Sequence, residues 1–224
     1  MSDCGGTARR STWLRRPFDV RRIILLRHGR TEWNDATRFQ GHQDVPLDEV
    51  GREQARAAAS ALAVERPDLL VCSDLARAAE TAGEMSAATG LPVVSDSALR
   101  EVNGGAWEGL ALSRIREVDP DGFAAWVTDP DSRPGGGESL PEVGERAARA
   151  LLRYLKDVPP GGTLLAVTHG GAARAAIGVL LGLPASTWRS LRVLDNCGWA
   201  VLANGAPERP WQMTAYNRGP SSGD

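Results

Sequence analysis

The sequence predicts an α/β fold with a mainly parallel sheet and an antiparallel edge, and three features predict it. Short apolar runs alternate with helical stretches in the order β-α-β-α-β, which implies a parallel sheet flanked by helices. Two apolar runs, at residues 23–26 and 162–168, lead into His28-Gly29 and His169-Gly170. The last two apolar stretches, at 199–202 and 211–215, are separated by Asn204-Gly205, a strong hairpin signal.

Residues 23–26 are wholly apolar with β-branched members, as a strand buried on both faces reads. Residues 40–47, with Gly41 and Pro46, form a loop. Asp48 caps a helix over 49–65, and Pro67-Asp68 breaks it. Residues 69–72 are the second strand. Ser73 or Asp74 caps the next helix, which runs to about Thr89, and 92–94 is the third strand. Residues 100–160 differ, because Gly104-Gly105, Asp119-Pro120-Asp121-Gly122, Asp129-Pro130 and Pro134-Gly135-Gly136-Gly137 interrupt short helical patterns. This region reads as a helical lid inserted over the sheet edge, closing with a helix from 140 to 156. The strand at 162–168 and a helix over 172–181 return to the core. Residues 1–20 read as a poorly ordered extension, 21–217 as one domain, and 218–224 as a loose tail.

At 224 residues the chain suits one domain with an elaborated lid. Its hydrophobic content of 42% and charged content of 24% are those of a soluble globular protein. A net charge of −2 gives no reason to expect nucleic acid, and no apolar run is long enough to span a bilayer. Arg9-Arg10 suggests a twin-arginine signal, but no apolar segment of signal type follows. Cys4, Cys72 and Cys197 are odd in number and widely spaced, which fits a reducing cytoplasm rather than a disulfide framework. No Cys/His cluster has metal-ligand spacing, so no metal and no cofactor are expected.

In an open α/β sheet, ligands bind beyond the carboxyl ends of strands. The chain has three histidines, and two of them, His28 and His169, fall at such ends. A neutral imidazole is a nucleophile near pH 7. Arg27 beside it offers a fixed fork of donors that suits phosphate. Arg77 lies in the first turn of a helix leaving the same edge, where its charge opposes the helix dipole. A phosphate dianion between Arg27, Arg77 and the two histidines accounts for that placement. Phosphate ester hydrolysis also needs a proton for the departing alkoxide. Glu101, at the start of the lid, is well placed for it, with Glu32, Glu108 and Glu138 as rivals that position alone does not exclude.

The string Leu26-Arg27-His28-Gly29-x-Thr31-x-x-Asn34 resembles the signature of the histidine phosphatase superfamily, in its phosphoglycerate mutase-like branch. The likeness continues through Phe39-Gln40-Gly41-x-x-Asp44-x-Pro46-Leu47, Ser73-Asp74-Leu75-x-Arg77-Ala78, Leu99-Arg100-Glu101, Gly105-x-Trp107-Glu108-Gly109, Gly137-Glu138-Ser139 and Val167-Thr168-His169-Gly170-Gly171. It implies a three-layer α/β/α sandwich. It implies that His28 becomes a phosphohistidine, that Arg27, Arg77, His169, Asn34 and Gly170 hold the phosphoryl group, and that Glu101 rather than its rivals is the proton donor. It implies a small-molecule phosphate ester as substrate, a reaction without metal, and a homodimer as a common assembly.

Position 30 departs from the family pattern: Arg stands where Glu or Gln is usual, which favours a second anionic group on the substrate. Arg30, Arg38, Gln40, His42 and Trp107 are the candidates for reading the rest of that substrate. The segment Glu101-Val102-Asn103-Gly104-Gly105 is of phosphatase type, without the Arg/Tyr-rich insertion of the mutases. The resemblance therefore favours a phosphomonoesterase similar to the glucosyl-3-phosphoglycerate phosphatases. A mutase, or a non-catalytic phospho-ligand binder, are the alternatives.

Overall fold

The computed structural model describes residues 20–204 and 210–220. The expected N-terminal extension, apart from Val20, lies outside the described residues, as do Gly205 of the expected turn and residues 221–224 of the expected tail.

Six strands form one sheet: β1 (Arg21–Arg27), β2 (Leu69–Cys72), β3 (Val93–Ser95), β4 (Thr163–Thr168), β5 (Trp199–Asn204) and β6 (Gln212–Arg218). Their order is β3-β2-β4-β1-β5-β6. The first four strands are mutually parallel. β5 runs antiparallel to β1, and β6 to β5. The expected mixed sheet is therefore present.

Residue alternation along the central strands divides the core into two. Ile23 and Leu25 of β1, with Leu164 and Ala166 of β4, pack against α6 (Leu140–Tyr154) and α7 (Gly170–Leu180). Ile24 and Leu26, with Leu165 and Val167, pack against α2 (Glu49–Ala63) and α3 (Ala76–Thr89). These eight side chains, from Ile23 to Leu26 and Leu164 to Val167, are fully buried. Each large aliphatic one contributes roughly 1.5–3 kcal/mol of burial free energy. A strand apolar on both sides demands a cover on both sides, and the three layers follow from that.

The helices begin and end where local chemistry dictates. Asp48 caps α2 by accepting the Gly51 amide, and α3 ends at Gly90 with φ 74°. Ser139 and Glu142 form a reciprocal capping box on α6. The cap expected for α3 is different. Its N-cap is Leu75, and the Ala76 amide goes to Asp44 at 2.6 Å. Ser73 and Asp74 are committed elsewhere, to His169 and to Arg100. α7 starts two residues earlier than expected, at Gly170, directly after His169. Asn204 is the last residue of β5 and pairs with Arg21, and β6 begins at Gln212.

The lid region carries α4 (Leu112–Val118) and α5 (Pro120–Thr128). It is sewn to the loop after the short helix α1 (Glu32–Asp35): the Phe39 amide donates to Leu110, and the Gly109 and Leu112 amides donate to Phe39 and Thr37. Trp107, Phe39, Phe123 and Trp126 form one aromatic cluster beneath it.

Candidate active site

β1 and β4 are neighbours, with Arg27 paired to Thr168. The chain leaving β1 goes to α2 on one face, and the chain leaving β4 goes to α7 on the other. Their carboxyl ends therefore diverge and open a crevice. A cavity of about 290 Å3 lies there. Arg27, His28, Asn34, Arg77, Glu101 and Gly170 line its polar part.

The His28 backbone is pinned by its own amide to the Thr168 carbonyl at 3.0 Å. Its carbonyl accepts from Asn196 Nδ2 and the Cys197 amide, just before β5. In the ring, Nδ1 lies 2.7 Å from the Gly29 carbonyl. A carbonyl can only accept, so Nδ1 carries the proton and Nε2 keeps its lone pair. Burial first, then the charges of Arg77 and Arg27, holds the His28 pKa well below the usual value for histidine. The ring is thus a neutral base across the physiological range.

Arg77 is fully buried, and each arm has a task. Nη1 and Nη2 donate to the carbonyls of Gln43 and Gly41, both at 2.8 Å, and Nε donates to His169 Nδ1 at 3.2 Å. Burial pushes its pKa down to about 10, which leaves it charged at neutral pH. Arg27 donates Nη1 to Leu194 O at 2.7 Å, while its buried Nε has no partner among the described residues. His169 is fully buried and faces Arg77 and Ser73 rather than the cavity. Its Nδ1 accepts from Arg77, so Nε2 carries the proton and donates to Ser73 Oγ at 2.8 Å. The ring centroids of His28 and His169 lie 5.1 Å apart.

Glu101 sits on the N-terminus of α7. Its Oε1 accepts from the amides of Val102 and Ala172, both at 2.9 Å, and Oε2 accepts from the Gly171 amide at 3.0 Å. Free amides at the start of α7 thus find acceptors in this side chain and hold it in place. Gly171 leaves the room for it, since a Cβ would stand 2.6 Å from Oε1. Asn34 gives its Oδ1 to Thr31 and Asn196, which frees the amide NH2 for the cavity.

The family model for the histidine phosphatase superfamily (branch 1) matches residues 23–218. The chain belongs to the histidine phosphatase superfamily. It is 40% identical over 190 residues to a glucosyl-3-phosphoglycerate phosphatase of Mycolicibacterium vanbaalenii, covering 82% of this chain and 84% of that one. A probable phosphoglycerate mutase of Cronobacter sakazakii is 38% identical, with 87% and 89% covered. Among solved structures, a mycobacterial glucosyl-3-phosphoglycerate phosphatase with VO3 superposes with a TM-score of 0.85 at 36% identity, covering 89% of this chain and all of that one.

Of the four carboxyls open on sequence grounds, only Glu101 lines the cavity of this histidine phosphatase. Glu32 is exposed. Glu108 holds the amides of His42 and Gly104 and the side chain of Gln43. Glu138 is locked two-pronged to Arg146; burial would raise its pKa, but Arg146 and the Asn103 amide hold it below the usual value.

The substrate-reading candidates divide. Arg38 and Gln40 line the cavity. Arg30 does not: Asp48 at 2.8 Å and Asp35 at 3.3 Å hold its guanidinium, so its charge is neutralised beside α1 and α2. His42 Nε2 instead supports the Glu101 carbonyl at 2.9 Å. Trp107 is buried in the aromatic cluster and donates to Asp119 at 3.0 Å. Beside Phe39 of the second motif, the cavity wall is made by residues that the motifs did not mark: Leu112, Trp126, Leu140 and Val193, with Arg174 on α7. Arg174 carried a readable signal, since it is the only charged residue in the helix Gly-Gly-Ala-Ala-Arg-Ala-Ala-Ile-Gly-Val-Leu.

Proposed function

We propose that this histidine phosphatase is a phosphomonoesterase that hydrolyses a small phosphorylated metabolite in two steps through His28. The observation that carries it is the free Nε2 of a buried, neutral His28 in a cavity shared with Arg27, Arg77 and Glu101. In the first step Nε2 attacks phosphorus, the P–O bond breaks, and Glu101 protonates the departing alkoxide. Arg27, Arg77 and Asn34 neutralise the equatorial oxygens. In the second step Glu101 takes a proton from water as that water attacks phosphohistidine, which returns His28 and releases inorganic phosphate. His169 acts here by holding Arg77 through Nε. No step calls for a metal ion.

The glucosyl-3-phosphoglycerate phosphatases among its relatives point to the substrate: a glucosyl-3-phosphoglycerate is the candidate for this chain. The mutases of this family carry an Arg/Tyr-rich stretch and a longer insertion after the acidic residue, and the segment here is Val102-Asn103-Gly104, which supports the phosphatase reading. The two described cysteines, Cys72 and Cys197, are buried free thiols, which supports a cytoplasmic setting. Among the described residues no helix is long and apolar enough to cross a membrane.

The test is chemical trapping. Acid-unstable, base-stable label from a 32P-phosphomonoester should appear on His28 after a rapid quench, in buffer containing EDTA. His28→Ala should lose about 10^4-fold or more of kcat, as loss of a covalent nucleophile does. Label on another residue, or turnover that survives His28→Ala, would sink the reading.

A further inference from the structure

Glu101 stands on backbone that no helix or strand organises: residues 100–104 lie between two single turns, Ser97–Leu99 and Gly105–Trp107. Such a segment has no hydrogen-bond ladder of its own, so its carbonyls need partners from elsewhere. Four successive carbonyls find them. Thr168 Oγ1, at the end of β4, donates to Leu99 at 2.7 Å. Arg146 of α6 takes the other three. Its Nη1 donates to Ala98 at 2.9 Å and to Arg100 at 2.8 Å, and its Nη2 donates to Glu101 at 2.7 Å. His42 Nε2 is a second donor to the Glu101 carbonyl, at 2.9 Å, and lies 3.8 Å from Glu138.

A guanidinium has five N–H donors in a rigid fork, and Arg146 uses all of them here. The remaining two go to Glu138, from Nε to Oε1 and from Nη2 to Oε2, both at 2.8 Å. Glu138 neutralises the cation and extends the clamp. Its Oε2 accepts the Asn103 amide, and its own amide donates to the Asn103 carbonyl, both at 3.0 Å. The chain is therefore gripped on both sides of Glu101. The carboxylate of Glu101 rests on amides of α7, and Ala147, Ala148 and Leu151 of α6 share a core with Ala173, Ala176 and Ile177 of α7. One packed helix pair thus fixes both ends of this residue, its carbonyl from α6 and its carboxylate from α7. None of Arg146, Glu138 and His42 lines the cavity, so contact with substrate does not account for them.

We propose that Arg146, buttressed by Glu138 and His42, is a positioning residue for proton transfer by Glu101. The proposal rests on the reading of Glu101 as proton donor to the departing alkoxide. Arg146 touches neither the ester nor the phosphoryl group. It holds the Glu101 main chain so that the carboxyl O–H meets the leaving oxygen as the P–O bond breaks. A displacement of about 1 Å in such a group costs about 100-fold. The sequence offers Glu138 as a rival acid and His42 as a reader of substrate; both instead serve Glu101 through its backbone.

The experiment measures single-turnover phosphorylation of the full chain by 3-phosphoglycerate, an alkyl ester, and by p-nitrophenyl phosphate, whose phenolate leaves without a proton. Arg146→Lys keeps the charge and loses the fork. It should slow the alkyl ester by about 10- to 100-fold and the aryl ester far less, with little change in the half-saturating concentration of either. His42→Leu removes one donor and leaves Arg146 in place, so it should shift the alkyl-to-aryl ratio in the same direction by a smaller factor. In a Glu101→Gln background Arg146→Lys should leave the ratio unchanged, because the proton it positions is gone. Melting midpoints are recorded for every variant. A lowered midpoint with both esters slowed equally is what a merely structural clamp gives, and it would overturn the proposal. An unchanged ratio in Arg146→Lys, or an effect that persists in full beside Glu101→Gln, would do the same. If Arg146→Lys does not fold, the ratio in His42→Leu decides alone. If Glu101→Gln itself slows both esters equally, the proton belongs to another group, and the reading beneath the proposal falls instead.

Discussion

At the floor of the cavity, His28, Arg77 and Glu101 are each held by backbone groups, and His169 braces Arg77 from behind. At the wall, Phe39, Leu112, Trp126, Leu140 and Val193 offer shape, and Arg174 offers a cation whose buried Nε has no hydrogen-bond partner among the described residues. The floor's geometry comes from strand ends and a helix start, which the fold cannot move without losing its sheet. The wall hangs from side chains on the lid, on α6 and on α7. Chemistry is therefore tied to the main chain, and recognition is left to residues that can be exchanged singly.

After loss of the nucleophile, the largest expected effect again breaks the floor. Glu101→Gln should slow an alkyl phosphate by about 10^2–10^4-fold, the usual worth of a positioned acid–base group. p-Nitrophenyl phosphate should suffer far less in the first step, because its phenolate leaves without a proton. Equal slowing of both esters in single-turnover measurements would assign the proton to another group.

A wall residue should behave differently. Trp126→Ala removes a ring that lines the cavity and packs at an angle against Phe39 and Phe123. KM should rise by about tenfold while kcat changes much less, the mark of binding shared by ground and transition states. A loss confined to kcat would mean that the wall also sets the chemistry.

The smallest effect concerns stability. Both His28 and His169 are kept neutral by burial and by Arg77. Unfolded imidazoles titrate near pH 6.5, so below that value the unfolded chain binds protons that the folded chain refuses. Stability is full above about pH 6.5 and falls as pH drops, by up to about 1.4 kcal/mol per ring per pH unit. Half a unit below 6.5 the loss is under about 1 kcal/mol per ring. Urea midpoints from pH 7.5 to 5.5 should show the decline, and His169→Gln should flatten it. A slope identical in that variant would place the acid sensitivity elsewhere.

This same division governs what could be read from the sequence. His28, Arg27 and His169 were legible because an apolar run announces a strand, and a strand's end is a fixed place. Arg77 and Glu101 were marked by the family motifs and lie within the same framework. Arg30, His42 and Trp107 were misplaced because their partners, Asp48, the Glu101 carbonyl and Asp119, come from other turns of the chain. Ser73 looked like a helix cap, yet its hydroxyl is taken by a histidine 96 positions away. Arg174 shows in the sequence only as the lone charge of an otherwise uncharged helix, and its place in the cavity wall comes from packing.

The grip of Asn196 and Cys197 on the His28 carbonyl has a consequence for how this protein tolerates change. Asn196 also reaches Asn34, and the Gly198 carbonyl receives the Arg27 amide. Three consecutive positions at the mouth of β5, none of which lines the cavity, thus steady the nucleophile and two of its neighbours. Drift at 196–198 is answerable to turnover as strictly as drift at a position that meets the ester, although a survey of ligand contacts would pass over it.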